Sequence, residues 1–295
     1  MTLTAEAAAQ NRRPDGGGVT VIPLSPALGA EVRGLDLRQA ADPATITALR
    51  EAWARHQVIV LRDQQVSAED QRRFCGFFGE IGQRARPAEA RQEPAGTPDG
   101  MMYVSNMRVE GKLIGSLPDG EMQFHIDQCY TETPALGSSL FAIEVPSTGG
   151  DTLFSNLYAV YDSLPDSVKC RIDGRKAVHF YDYTAMTRAA SANRAGVKHF
   201  AHPVVCSHPT TGRKALFVNR LMTGFIEGLE AAESEEILLQ LFDAIERPDF
   251  IYAHKWRVGD LLLWDNRCTA HARTDFDPAQ RRHLRRFTIQ GGRPV

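Results

Sequence analysis

Long apolar runs are missing from this 295-residue chain. None approaches the roughly 18 consecutive apolar residues that a spanning helix requires, so no transmembrane segment is expected. An excess of either charge is missing too: 34 Lys and Arg face 36 Asp and Glu, a formal net charge of -2, with the two signs interspersed. That balance argues against nucleic acid and against an anionic membrane as partners. Cysteine is scarce and unpatterned. Cys75, Cys129, Cys170, Cys206 and Cys268 are odd in number and scattered, without the C-x-x-C spacing of zinc or thioredoxin-like sites. They agree with a reducing interior and a cytoplasmic location, and most read as small buried hydrophobes. Internal repeats are absent. The opening stretch MTLTAEAAAQNRRPDGGG lacks the apolar h-region of a secretory signal and ends in a glycine run. Residues 1–18 are therefore expected to be a disordered tail, and 19–295 a single domain.

Apolar residues, by contrast, make up 43% of the chain, ample for a large buried core. Residues 45–56 read as a helix with Ile46, Leu49 and Trp53 on one stripe, followed by a strand over Val58–Leu61. Ser67 suits the cap of a second helix that turns Phe74, Phe77 and Phe78 inward. A third helix is expected after Ser234, carrying Ile237, Leu238, Leu241, Phe242 and Ile245.

The chemistry concentrates in His125-Ile126-Asp127, within EMQFHIDQCY, and in His271, within LLLWDNRCTAHA. The first run is short, aromatic and β-branched. It reads as a strand, in which residues two apart project to the same face. Two imidazoles and one carboxylate form the facial triad that holds a non-haem Fe(II) and leaves other positions open. An isolated H-x-D is weak, since a lone strand histidine is more often a core or surface residue. A basic cluster strengthens it: in QRRHLRRFTIQGG, Arg282 lies eleven residues past His271 and Arg286 fifteen. Residues 284–290 alternate like a strand, and 259–265 read as a buried apolar strand. A hairpin-like return would bring a guanidinium, suited to two-point clasping of a carboxylate, beside the metal.

Together with LGAEVRGLDLR, HQVIVLRDQQVS, FHIDQCYTETPA, VPSTGGDTLFSNLYAVYDSLP, HPVVCSHPTTGRKALFVN and WRVGDLLLWDNRCTAHA, these blocks carry a resemblance over nearly all of the chain. In order and spacing the chain resembles the taurine dioxygenase and 2,4-dichlorophenoxyacetate dioxygenase family of Fe(II)- and 2-oxoglutarate-dependent oxygenases. The resemblance implies an α+β fold with a distorted double-stranded β-helix, or jelly roll, as core and flanking helices. Inward side chains of such a core share one cavity. It assigns His125, Asp127 and His271 to Fe(II). Thr152, twenty-five residues past Asp127, falls on the family threonine that binds the 2-oxoglutarate carboxylate remote from the metal. Arg282 matches the arginine paired with that carboxylate, and Arg286 a second arginine near the chelating end that in the taurine enzyme faces the substrate acid. Arg281, Arg285 and Arg293 read as solvated surface charges. With O2, 2-oxoglutarate would give succinate and CO2 while a substrate hydrogen is abstracted. Related halogenases carry a small residue in place of the acid, so Asp127 favours hydroxylation.

Substrate choice is expected in the segments 83–102, with Arg84 and Arg86, and 179–200, with Tyr181, Tyr183 and Met186. Tyr181, Tyr183, Met222 and Arg286 are the candidate substrate contacts. The taurine enzyme's pocket histidine and asparagine correspond to Gly82 and Glu121 here, so taurine is not the expected substrate. A small organic acid with an aromatic or extended apolar body is expected instead, on a homo-oligomeric enzyme. His199-Phe200-Ala201-His202 precedes a strand in which residues three apart face opposite sides, so no metal site is expected there. His56, His179, His208, His254 and His283 are read as structural or solvated, with contact to the substrate as the alternative for His283, which lies in the arginine cluster. Two other readings remain open: a zinc hydrolase using the same three ligands, and a non-catalytic metal or ligand sensor on the same scaffold.

Overall fold

A computed structural model of the chain describes residues 18–83, 93–94, 96–116, 120–181 and 196–295. Most of the expected N-terminal tail, Arg84, Arg86, Tyr183 and Met186 lie outside the described residues. In chain order the strands are β1 (Thr20–Pro23), β2 (Ala30–Arg33), β3 (Val58–Leu61), β4 (Met101–Ser105), β5 (Arg108–Val109), β6 (Lys112–Leu113), β7 (Met122–His125), β8 (Gly137–Glu144) and β9 (Thr152–Asn156). They continue as β10 (Lys176–Phe180), β11 (His199–Pro203), β12 (Val205–Ser207), β13 (Lys214–Leu216), β14 (Thr223–Ile226), β15 (Ile251–His254), β16 (Leu261–Asp265), β17 (Thr269–Arg273) and β18 (His283–Ile289). The helices are α1 (Pro43–His56), α2 (Ala68–Gly76), α3 (Leu157–Ser163), α4 (Asp166–Ile172) and α5 (Ala231–Ile245).

Two sheets make the jelly-roll core. One runs β1-β2-β3-β16-β8-β18-β4 and the other β15-β9-β17-β7. Strand alternation sorts their side chains. Val58 and Val60, Leu140 and Ala142, Leu262 and Trp264 turn to the space between the sheets, where they meet Phe154 and Tyr252 of the smaller sheet. The intervening Ile59, Leu61, Phe141, Leu261 and Leu263 face the other way, with Leu49, Trp53 and Phe74 of α1 and α2. The outer side of β17, through Ala270 and Ala272, packs with Ile237, Leu238, Leu241 and Phe242 of α5. The α+β jelly-roll expectation holds.

Local signals explain the helix starts. Asp42 accepts from the Thr45 amide at 2.7 Å with Pro43 at the first helical position, so α1 begins two residues before the expected start at 45. Ser67 and Asp70 form a reciprocal capping box on α2. The helix expected after Ser234 starts earlier: α5 begins at Ala231 after Glu230, and the Ser234 hydroxyl inside it accepts from the Ile226 amide at 2.8 Å. The segment expected to be loop over 83–102 gives way to β4 at Met101. Among the described residues, no helix is long and apolar enough to cross a membrane.

Candidate active site

His125 and His271 stand directly opposite each other on β7 and β17, with ring centroids 4.0 Å apart. The strand reading of H-x-D is only half right. β7 ends at His125, Asp127 lies in the turn beyond it, and Gln128 has φ +57°. Alternation alone therefore does not aim the carboxylate. Asn266, in the turn between β16 and β17, does so: its Oδ1 accepts from the Asp127 amide at 2.8 Å, and its Nδ2 donates to the carbonyls of Asp127 and Ala135 at 2.9 Å each. A buried side-chain amide thus replaces the strand ladder that has just ended.

Asp127 Oδ1 is 3.9 Å from His125 Nε2 and 3.9 Å from His271 Nε2, beyond hydrogen-bond reach of either. All three ligand atoms lie within 4.8 Å of one another, and all three residues are buried. The His125 Nδ1 faces the Gln123 carbonyl at 3.0 Å, which places the proton there and leaves Nε2 with its lone pair toward Asp127. Burial pushes both imidazoles below the usual histidine range, His271 further, with the neighbouring His125 adding to the effect. Burial by itself would raise the Asp127 carboxyl. The Arg286 guanidinium, both histidines and the Ser138 hydroxyl outweigh it and hold that carboxyl below the usual range. Two imidazoles and one carboxylate, with Asp127 Oδ1 standing 3.9 Å from Nε2 of each histidine, fit a divalent metal ion. The second carboxylate oxygen is occupied by Arg286 at 2.6 Å and Ser138 at 2.8 Å.

Arg286 reaches this point from the opposite sheet. β18 pairs with β8 and β4, whereas β17 pairs with β7 and β9. The chain between them crosses from one sheet to the other, so the expected hairpin-like return is incorrect. Parity along β18 then separates three arginines. Arg286 shares its face with Leu284, in the layer between the sheets. Arg282, one residue before the strand, has that parity too and is 2% exposed. Arg285 has the other parity, and its assignment as a surface charge is wrong: it is 8% exposed, donating to Gln71 Oε1 at 2.8 Å and to the carbonyls of Val66 and Ser67. Arg281 and Arg293 are mostly exposed, as expected.

Arg282 donates from Nε to the Gly150 carbonyl at 3.2 Å, while its buried Nη1 has no hydrogen-bond partner and no ion pair engages it among the described residues. Burial, then the neighbouring Arg273, push this guanidinium down to about 9, with Asp151 opposing. Gly150 has φ +67°, and a Cβ there would meet Arg282 Nε at 3.2 Å, so glycine is required for the close approach. Two residues on, Thr152 opens β9, buried, and accepts from the Trp256 indole at 3.0 Å. Arg273 is its register partner on β17 and donates to the Gly120 carbonyl.

Tyr181 packs edge-on to Tyr130, centroids 5.0 Å apart, and Lys198 Nζ lies 5.7 Å from the Tyr130 centroid. Burial raises the Tyr130 hydroxyl, and the charges of Asp127 and Arg286 also act on it. Met222 is buried, its sulfur 3.6 Å from that of Cys129. His283 faces the Ser105 hydroxyl at 3.0 Å and stacks near Tyr103. Gly82 is tied to the Thr288 carbonyl at 2.8 Å, and Glu121 is exposed. Ser138, Trp256, Asn266 and Arg273 contact or adjoin the candidate site residues and carry no signal in the sequence; Trp256, Asn266 and Arg273 do so through partners more than a hundred residues away, and Ser138 through a strand face set only by sheet pairing.

A second cluster, His208, Asp265 and Cys268, has ligand atoms equally close together. It is a closed hydrogen-bonded knot. His208 Nδ1 accepts from the amides of Thr210 and Thr211 at 3.2 Å, so Nε2 carries the proton and donates to Asp265 at 3.0 Å. Arg267 takes both Asp265 oxygens, at 2.8 and 2.6 Å, and burial raises the Cys268 thiol.

Residues 20–288 match the family model described as taurine catabolism dioxygenase TauD, TfdA family. An (S)-phenoxypropionate/alpha-ketoglutarate-dioxygenase of Sphingobium herbicidovorans is 34% identical, over 92% of this chain and 94% of that protein. A taurine dioxygenase from Burkholderia xenovorans superposes with a TM-score of 0.78 at 31% identity, over 94% and 92% of the two chains. AAD-2, solved in complex with Mn(II) and N-oxalylglycine, gives 0.76 at 29% identity, over 94% and 98%.

Proposed function

The chain belongs to the TauD/TfdA family of 2-oxoglutarate-dependent dioxygenases, and from that premise we propose that it hydroxylates a small organic acid with an aromatic or extended apolar body. His125, Asp127 and His271 hold Fe(II), and Arg282 with Thr152 receive the distal carboxylate of 2-oxoglutarate. When bound, the metal and cosubstrate supply the oxidising chemistry, consuming O2 and releasing succinate and CO2. This chain's residues bind, orient and enclose the reactants.

One observation carries the reading: Arg282, one residue before the strand that brings Arg286 to the metal-ligand cluster, is a buried cation with no ion pair among the described residues. Such a charge is costly without an anion to meet it. A zinc hydrolase gives that guanidinium no task, and a non-catalytic sensor would release no succinate. The similarity to a phenoxypropionate dioxygenase, together with the Tyr130–Tyr181 pair near the cluster, supports an aryloxy acid as substrate, with Arg286 near its acid group.

Two measurements test this. Anaerobic addition of Fe(II) and 2-oxoglutarate is expected to produce the weak visible charge-transfer band of a chelated 2-oxo acid, lost in Asp127→Ala. Iron-independent binding of 2-oxoglutarate would refute the site. A succinate-release screen is expected to show stronger stimulation by aryloxyalkanoates than by taurine, and a preference for taurine would overturn the substrate class.

A further inference from the structure

Thr152 is engaged from behind by a group that can only donate. The Trp256 indole N–H lies 3.0 Å from Thr152 Oγ1, and an indole offers a hydrogen and no lone pair. The threonine hydroxyl, acting as acceptor toward Trp256, must point its own hydrogen elsewhere. Trp256 is held in place in its turn. Its ring stands at 85° to that of His254, centroids 4.5 Å apart. His254 is the register partner of Thr152 on β15, and it is fixed between the Tyr252 hydroxyl at 2.9 Å and Asp260 at 3.1 Å. Asp260 is anchored by Arg62 at 2.7 Å.

We propose that Trp256 is a positioning residue that makes Thr152 a hydrogen-bond donor, so that the distal end of the cosubstrate pocket accepts an ionised carboxylate and rejects an amide. The inference rests on the reading of Thr152 and Arg282 as cosubstrate contacts. A guanidinium also only donates, and the Trp256 indole takes one of the two lone pairs of the Thr152 hydroxyl, so Arg282 and Thr152 together present mainly donors. A carboxylate satisfies both with its two oxygens. A carboxamide sets its own N–H groups against a donor, leaving a buried polar group unpaired, which is what separates near-isosteric ligands most strongly.

The test is calorimetric titration of the Mn(II)-loaded full-length protein with N-oxalylglycine and with its carboxamide, for wild type, Trp256→Phe, Thr152→Val and the double variant. Trp256→Phe keeps the ring against His254 and removes only the donor. It is expected to weaken N-oxalylglycine binding by about tenfold, the scale of a hydrogen bond to a charged group, and to narrow the preference over the carboxamide. In the Thr152→Val background it should then have no further effect. Trp256→His, whose ring can still donate, should retain the preference and serves if the phenylalanine variant does not fold. Unchanged affinity and preference in Trp256→Phe, beside weakened binding in Thr152→Val, would overturn the positioning role while keeping the threonine contact. An equal loss in both backgrounds would overturn it as well, because Trp256 would then act through packing. Wild-type binding by Thr152→Val would instead refute the cosubstrate contact on which the inference stands.

Discussion

At the scale of single residues, the three arginines on or beside β18 show how little residue type says without its surroundings. Arg282, Arg285 and Arg286 carry the same charge, yet one has no ion pair among the described residues, one is satisfied by carbonyls and an amide, and one is paired with a metal-ligand candidate. Arg282→Ala should weaken 2-oxoglutarate binding by about 2–5 kcal/mol, the range for losing one partner of a desolvated charge pair. Arg286→Ala should lower cosubstrate affinity less and chiefly uncouple succinate formation from substrate oxidation. Titration of both variants with 2-oxoglutarate, alongside product ratios, checks this division, and equal small effects would reject it. Asn266 is a third case, since its amide supplies the hydrogen bonds that locate Asp127 past the end of β7. Outer-shell partners of metal ligands typically matter by about 10–100-fold in metal affinity. Asn266→Ala is expected to lose Mn(II) affinity within that range, and a variant that melts earlier yet binds Mn(II) as wild type does would show the clamp to be structural only.

Between elements, the junction of β18 with α2 adds a buried polar network to the apolar contact of Phe74 and Cys75 with Phe287 and Ile289. Arg285 donates to Gln71 and to the carbonyls of Val66 and Ser67, while Gln71 donates to Ser139 and to the Arg285 carbonyl. Arg285→Ala leaves acceptors at the start of α2 without their donor, in a buried setting where each such loss costs about 1–3 kcal/mol. Chemical denaturation should therefore find roughly 3 kcal/mol less stability. Arg285→Met, which fills the space but donates nothing, should recover only part of it. A fully stable alanine variant would show that water replaces the guanidinium. Because Arg286 and Arg282 project from the other face of the same chain segment, Arg285→Ala should also loosen cosubstrate binding modestly.

For the whole molecule, buried histidines set the acid limit of stability. Burial lowers His179 from 6.5 to about 3, with His202 adding to the effect, and it lowers His254 as well. Such a group is neutral in the fold but takes up a proton in the unfolded chain once pH falls below 6.5. Its contribution is complete above that value and is lost progressively as pH falls toward the folded value. Asp265, whose carboxyl is held low by Arg267 and His208 against the effect of burial, adds a loss of the same sign at lower pH. Stability is expected to decline from about pH 6.5 downward, well before ordinary carboxylates titrate. His179→Gln should flatten that decline between pH 6 and about 4. Denaturant melts across this range provide the check, and an unchanged slope would remove His179 from the account.

Read alone, the sequence points to the family and to the main helices and strands, and it names His125, Asp127 and His271 as candidate metal ligands and Thr152 and Arg282 as candidate cosubstrate contacts. The elements and the candidate ligands rest on residue type at fixed spacing, namely a periodic apolar stripe, a Ser67 cap and an acid two residues from a histidine, whereas the roles of Thr152 and Arg282 are what the family resemblance implies. Tertiary structure alone decided how Asp127 is aimed once β7 has ended, which way each β18 arginine faces, and that Ser234 answers to β14 from within α5. It also decided that Trp256 stands behind Thr152. In each instance the partner lies far along the chain or on the opposite sheet, and a strand's face is fixed only when its register against its neighbours is set. A spacing rule sees the side chain. Only the packed sheets supply the hydrogen-bond acceptor, the buried charge or the facing ring that gives it a direction.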